Sequence, residues 1–232
     1  MEIKKLKEDF FIIENFLDEK TCNSIISYLS YLVDNNILKW NEISFYGSQA
    51  MGYWPSDSRL LNFDLPEDYF NQLKEKIKLM SEECLGIELN EISFHAQRWV
   101  EGAFADYHSD NSDAEGNPTA FERSKYAAFL YLNENFDGGH LKMKNYPIEV
   151  KPKTGLIAIF AGGHGNEHLV TTIKNGNRYT VGSFWDDARC VYSDEKKQAW
   201  ADELKQVRSE QEEMYKKWAT PEGKPSMPKG RE

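Results

Sequence analysis

Ile92-Ser93-Phe94-His95-Ala96-Gln97-Arg98-Trp99-Val100 is the stretch at which the hydrophobic period of this chain changes. From here onward, short segments rich in β-branched and aromatic residues alternate with turns, at 92–100, 104–110, 125–133, 139–144, 155–161, 166–173 and 177–187. The turns between them hold Gly and Asn. Short strands of this kind predict an antiparallel sandwich or barrel. Upstream, Phe10-Phe11-Ile12-Ile13-Glu14-Asn15 reads as one further strand. A helix is expected from about Thr21 to Val33, because Ile25, Ile26, Leu29 and Leu32 recur at helical spacing. A second helix is expected from near Pro66, a residue tolerated in a first turn, to about Glu83. Residues 40–62 between them are irregular and aromatic, a long loop or broken hairpin near a site. The fold class is therefore mainly β with flanking helices, α+β.

Downstream, residues 194–218 form a highly charged helix with a stripe of Trp200, Leu204, Val207, Gln211, Met214 and Trp218. Such a stripe either packs back on its own domain or makes a dimer contact, so the chain is expected to be a monomer or a homodimer through this helix. Three prolines and two glycines make 221–232 a flexible tail. The domain division is thus 1–191 for the main domain and 192–232 for the helix and tail.

Hydrophobic residues make up 40% of the 232 and aromatics 13%, enough for a packed core. The net charge of −10 repels phosphate backbones, so nucleic acid is not expected as a partner. Cys22, Cys84 and Cys190 are odd in number and form no CxxC pair. They read as reduced thiols of a cytoplasmic protein. Met1-Glu2-Ile3-Lys4-Lys5 begins like a signal peptide, but Glu8, Asp9 and Glu14 interrupt the apolar stretch downstream of it and no cleavage site appears. No apolar run approaches a membrane span, so no membrane partner is expected.

The chemistry concentrates at Tyr107-His108-Ser109-Asp110 and Glu167-His168-Leu169-Val170, with Arg178 ten residues further on. Two histidines and one carboxylate are the set that holds a non-haem Fe(II) on one face and leaves open positions opposite. His108 and Asp110 are two apart, which on extended backbone puts both on one face. A lone HxD arises often by chance, and His168 as third ligand raises its weight. Asn175-Gly176 invites a hairpin turn. A three-residue loop, Lys174-Asn175-Gly176, with Gly176 in a left-handed bulge, would pair Thr172 with Arg178 and His168 with Gly182. His168, Val170, Thr172, Arg178, Thr180 and Gly182 would then share one face. Arginine suits a carboxylate because its planar fork pairs both oxygens. The polar stretch 111–124 follows Asp110 directly and is either a lid or an ordinary surface loop. His95, His140 and His164 have no partner spacing and read as structural or solvated; His164, on a glycine-rich loop, is the one best placed to touch substrate.

With these residues in place, the chain resembles the Fe(II)- and 2-oxoglutarate-dependent dioxygenases, and within them the prolyl 4-hydroxylase-like group. The likeness runs over roughly 10–187. It lies in the opening Phe10–Asp18 strand and helix entry, in Arg98-Trp99-Val100-Glu101-Gly102 before the HxD, in Ala128–Asn133 followed by Gly138-Gly139, and in His168-Leu169-Val170 followed by Gly176-Asn177-Arg178-Tyr179. The resemblance implies a double-stranded β-helix, or jelly roll, with helices packed on one side. It implies iron on His108, Asp110 and His168, and 2-oxoglutarate with its far carboxylate on Arg178 and the Tyr131 hydroxyl. Trp99 and Thr180 are further candidates for that pocket. O2 is the implied co-substrate and ascorbate a further candidate cofactor. The implied reaction hydroxylates an unactivated C–H bond and releases succinate and CO2. The implied substrate is a proline in a peptide or protein. Trp99 stands where the family commonly has tyrosine, and Phe184 where it often has tryptophan, so the pocket lining differs. The alternatives are a hydroxylase of a free amino acid or small metabolite, and a non-catalytic or zinc-binding jelly-roll module.

Overall fold

Ile157-Ala158-Ile159-Phe160 carries no polar side chain on either face, and it becomes the buried centre of the larger of two sheets. The computed structural model describes residues 2–42, 48–51 and 58–218. In chain order the strands are β1 (Glu2–Lys7), β2 (Phe10–Glu14), β3 (Asn41–Glu42), β4 (Ser48–Met51), β5 (Leu89–Trp99), β6 (Ala105–His108), β7 (Tyr126–Tyr131), β8 (Leu141–Met143), β9 (Glu149–Val150), β10 (Ile157–Ala161), β11 (His168–Val170) and β12 (Arg178–Asp187). The helices are α1 (Glu19–Asp34), α2 (Tyr69–Leu85) and α3 (Asp194–Trp218). The eight-stranded sheet runs β1-β2-β10-β7-β12-β5-β4-β3 and the four-stranded sheet β6-β11-β8-β9. Their registered neighbours pair antiparallel.

Strand alternation sorts the larger sheet's side chains into two cores. Phe11, Ile13, Ala128, Leu130, Ile157, Ile159, Val181 and Trp185 pack on one side with Ile25, Leu29, Leu32, Leu73 and Ile77 of the two helices. Their neighbours in sequence, Phe10, Ala127, Tyr131, Ala158 and Phe160, point the other way and meet Leu141, Met143 and Val150 of the smaller sheet. The result is three layers, helices on sheet on sheet, in keeping with the jelly roll. The inter-sheet layer is where the functional side chains converge.

Helix boundaries follow their caps. Asp18 accepts the Thr21 N–H at 2.7 Å and starts α1. Gly86, at φ 70°, ends α2 in the left-handed conformation. Pro66 lies outside α2, which begins at Tyr69; the Pro66 carbonyl instead accepts the Tyr69 N–H at 2.9 Å. Residues 2–7, which showed only a charge pattern in the sequence, form edge strand β1. The stretch 221–232 lies outside the described residues, as do 43–47 and 52–57 of the irregular segment and the side chains of Gln211, Met214 and Trp218. At the start of α3, Trp200 packs edge-on against Tyr192.

The expected hairpin about Asn175-Gly176 does not form. β11 lies in the smaller sheet, where His168 pairs with His108 on one side and Met143 on the other. β12 lies in the larger sheet, where Arg178 pairs with Trp99 and Thr180 with Tyr131. The left-handed residue is Asn175, at φ 55°, and Gly176 sits at φ 149°. The reason is backbone satisfaction. Thr171, Ile173 and Lys174 donate to the carbonyls of His140, Ala103 and Asp137, so this segment already has its partners before the chain turns. The Asn-Gly pair lets the chain cross between layers, and it does not specify which strand comes next.

Candidate active site

His108 is the last residue of β6 and His168 the first of β11, and the two are directly paired across the smaller sheet. Asp110 follows β6 on a turn whose N–H donates to the Gly162 carbonyl at 2.7 Å. His108 Nε2 lies 3.8 Å and His168 Nε2 3.7 Å from Asp110 Oδ1. These gaps are too long for hydrogen bonds, yet shorter than two metal–ligand bonds of about 2.0–2.2 Å each. The three residues are the one group of three or more metal-ligating side chains of this kind among the described residues.

The protons are arranged for a metal. His108 Nδ1 faces the Asp106 carbonyl at 2.8 Å, and His168 Nδ1 faces the Asn166 carbonyl at 3.2 Å. A carbonyl only accepts, so each Nδ1 carries the hydrogen and each Nε2 lone pair is directed to the site. Asp110 Oδ2 is buried without a hydrogen-bond partner among the described residues. Burial pushes the Asp110 carboxyl up to about 7 and the His168 imidazole down to about 4. Both groups are thus held away from their charged forms in the bare protein, and a divalent cation reverses that balance for the carboxylate. The residues present fit an Fe(II) ion. His108 is 43% exposed in its side chain against 3% for His168, so the site opens on the His108 side.

Gly162 is the close neighbour that sequence reading missed. A Cβ there would stand 2.0 Å from Asp110 Oδ2 and 2.8 Å from its Cγ. Gly162→Ala is therefore expected to displace the carboxylate and weaken Mn(II) or Fe(II) binding about 10–100-fold, read by calorimetry. Unchanged affinity would remove Asp110 from the ligand set. Nothing local in Ala161-Gly162-Gly163 announces this approach, because Asp110 is contributed from another strand end.

Arg178 begins β12 and points into the inter-sheet layer, 2% exposed. Its Cζ lies 5.1 Å from the ring centres of both Trp99 and Tyr131. Among the described residues its Nε and Nη1 have no hydrogen-bond partner, and neither do the Tyr131 hydroxyl and Thr180 Oγ1. Burial lowers the guanidinium's pKa and raises the phenol's, but arginine stays charged in proteins. A buried cation whose described neighbours are aromatic rings is a strong demand for an anion. Two of its own nitrogens and the hydroxyls of Tyr131 and Thr180 are donors of the kind a carboxylate uses. Tyr131 shares its core with Phe160, whose ring meets the His168 ring at 5.0 Å, so Arg178 and the histidine pair line one interior. All seven residues singled out in the sequence thus converge, although Arg178 reaches this interior from the opposite sheet to His168.

The remaining expectations divide. His140 pairs with Glu149 at 2.5 Å on the smaller sheet. His164 is exposed and sits 3.3 Å from Glu167. The loop after Asp110 is tied to itself through Asp113, which accepts the N–H groups of Glu115 and Asn117. A Cβ at Gly116 of this loop would lie 3.1 Å from the His164 ring. Of the two readings of His95, structural or solvated, the structure takes the first: it lies on the inner face of β5 in the row that holds Trp99. Period-two alternation along 92–100 is the signal that could have placed it there.

Residues 94–186, which include every residue of this site, match the 2OG-Fe(II) oxygenase superfamily. The likeness to that superfamily is confined to this segment of the chain. The particular relatives are prolyl hydroxylases. Prolyl 3-hydroxylase 2 of Mus musculus is 35% identical over 86 residues, covering 32% of this chain and 12% of that protein's length. The viral collagen prolyl hydroxylase of Paramecium Bursaria Chlorella virus-1 aligns with a TM-score of 0.54 at 14% identity, over 78% of this chain and 96% of that one. A prolyl hydroxylase of Trichoplax adhaerens, solved with a hypoxia inducible factor peptide fragment, aligns with a TM-score of 0.55 at 17% identity, over 78% and 84%. At these identities the two structures establish the shared fold.

Proposed function

We propose that this protein is an Fe(II)- and 2-oxoglutarate-dependent dioxygenase that hydroxylates an unactivated C–H bond, with a prolyl residue of a peptide or protein as its substrate. The observation that carries the reading is Arg178, a fully buried cation with unpaired donors on the same interior as the His108–Asp110–His168 set. A zinc hydrolase or an inert binding module has no use for that charge, and a dicarboxylate co-substrate requires it. In this reading His108, Asp110 and His168 hold Fe(II). Arg178 takes the far carboxylate of 2-oxoglutarate, Tyr131 and Thr180 donate their hydroxyls to it, and Trp99 walls the subsite. The iron, once bound, supplies the activation of O2 that couples decarboxylation of 2-oxoglutarate to succinate with oxidation of the substrate.

A peptide substrate is favoured over a small metabolite by the open side of the site. His108 is exposed and the neighbouring Tyr107 is 46% exposed, leaving room for a chain to cross the metal. The Mus musculus relative is named for prolyl hydroxylation, which supports proline as the reacting residue. No described helix is long and apolar enough to cross a membrane. Three free cysteines support a cytoplasmic setting, with ascorbate as the reductant available there. Nucleic acid is not part of the reading, and self-association, if any, is assigned to α3.

The test is incubation with Fe(II), 2-oxoglutarate, air and a panel of proline-containing peptides. The expected result is iron-dependent succinate and a peptide that gains one oxygen atom on a proline ring. Succinate without any oxidised peptide would turn the reading to a free amino acid or metabolite. Absence of both succinate and 2-oxoglutarate binding would overturn it.

A further inference from the structure

His95, Gln97 and Trp99 alternate along β5, so all three face the inter-sheet interior. Opposite them on β12 stand Gly182, Thr180 and Arg178 in register. Trp99 Nε1 lies 3.1 Å from Gln97 Oε1, and Gln97 Nε2 lies 2.8 Å from His95 Nε2. The direction of this row comes from donor chemistry. An indole N–H only donates, so the atom it meets on Gln97 must be the carbonyl oxygen. The amide nitrogen then faces His95 and donates, which makes His95 Nε2 an acceptor and puts the imidazole proton on Nδ1. The histidine is thus a neutral ring in one tautomer. Its environment agrees: the ring stacks on Phe184 with centres 6.0 Å apart, and burial lowers its pKa to about 4. Gly182 opens the space for it, since a Cβ there would come within 2.9 Å of the Phe129 ring and 3.4 Å of His95 Nε2.

The far end of the row is the co-substrate subsite. The Trp99 indole that Gln97 holds is one of the two rings flanking the Arg178 guanidinium. Neither ring offers that guanidinium a hydrogen bond that would set its orientation, so ring placement decides which way the fork points. We propose that His95 and Gln97 are positioning residues, which lock the Trp99 indole and through it present Arg178 to the far carboxylate of the 2-oxo acid. The inference rests on the proposed binding of 2-oxoglutarate at Arg178.

The experiment is calorimetric titration of 2-oxoglutarate into the Mn(II)-loaded protein without air. Gln97→Met, which keeps the length and loses the relay, is expected to weaken 2-oxoglutarate binding about 10-fold while Mn(II) affinity and Tm stay at wild-type values. Trp99→Phe cuts the same relay at its other end. In that background Gln97→Met is expected to add little, because the interaction it removes is already gone. His95→Phe, which keeps the stack on Phe184, should weaken binding in the same direction as Gln97→Met. Full additivity of the two substitutions, or wild-type affinity in Gln97→Met, would overturn the relay and leave Arg178 as the subsite. Failure of the wild-type Mn(II) protein to bind 2-oxoglutarate would instead overturn the reading beneath it, and the relay with it.

Discussion

Asp110→Ala is expected to abolish iron-dependent succinate formation and to lower metal affinity by more than about 100-fold, the upper end of what loss of a merely supporting residue does. Asp110 is the only anion of its set, and without it two neutral imidazoles remain to hold a dication. The same substitution is expected to leave the metal-free protein no less stable than the wild type. Asp110 Oδ2 has no partner among the described residues, and the carboxyl is buried enough to be pushed up to about 7. Removing an unpartnered buried carboxyl relieves desolvation and breaks no described hydrogen bond of its side chain. Two melting curves decide the matter. The wild type should gain Tm on adding Mn(II), by mass action on the folded state, and the variant should not. A variant that melts well below the metal-free wild type would mean that Asp110 supports the fold and that its loss of activity says nothing about the metal.

Arg178→Ala is expected to raise the dissociation constant for 2-oxoglutarate about 100-fold or more, the usual consequence of truncating one partner of a buried, hydrogen-bonded charge pair. Metal affinity should hold, since Arg178 comes from the other sheet and none of its described contacts is with the ligand set. A 2-oxo acid that lacks the second carboxylate provides the control. It should bind the wild type weakly and bind Arg178→Ala no worse, so the preference for the dicarboxylate collapses in the variant. Arg178→Lys is expected to recover only part of the loss, because an ammonium offers a point charge where the guanidinium offers a planar fork. Equal loss of both acids in Arg178→Ala would assign the residue to packing between Trp99 and Tyr131.

The ligand set was legible because its signal is local. His108 and Asp110 are two residues apart, and the types His, Asp and His carry their chemistry in their side chains wherever they fall. Tyr131 was reachable only through the resemblance. Its proposed role depends on an arginine that the chain places beside it only once the larger sheet has formed. The hairpin expectation shows the limit most clearly. It put Arg178 and His168 on one face of one ribbon, whereas they face one another from two sheets. Arg178 is inward in both pictures, so the proposed role for it does not depend on the register. Gly162 and the His95–Gln97 row escaped notice for a related reason. A glycine's missing Cβ matters only where another segment approaches, and an amide's orientation is set only by the partners on either side of it.

What the sequence by itself determined, then, is the strand-rich class, the two helices ahead of the strands and the residues that are candidates to bind a metal. These come from hydrophobic period and side-chain chemistry, which act over a few residues. What only the tertiary structure decided is which strands share a sheet, that Trp99, Tyr131, Arg178 and Thr180 come together from β5, β7 and β12, and that Arg178 lies there without a counter-charge among the described residues. Strand pairing is settled by which backbone groups find partners once both sheets have assembled, and that competition involves segments distant from one another in the chain.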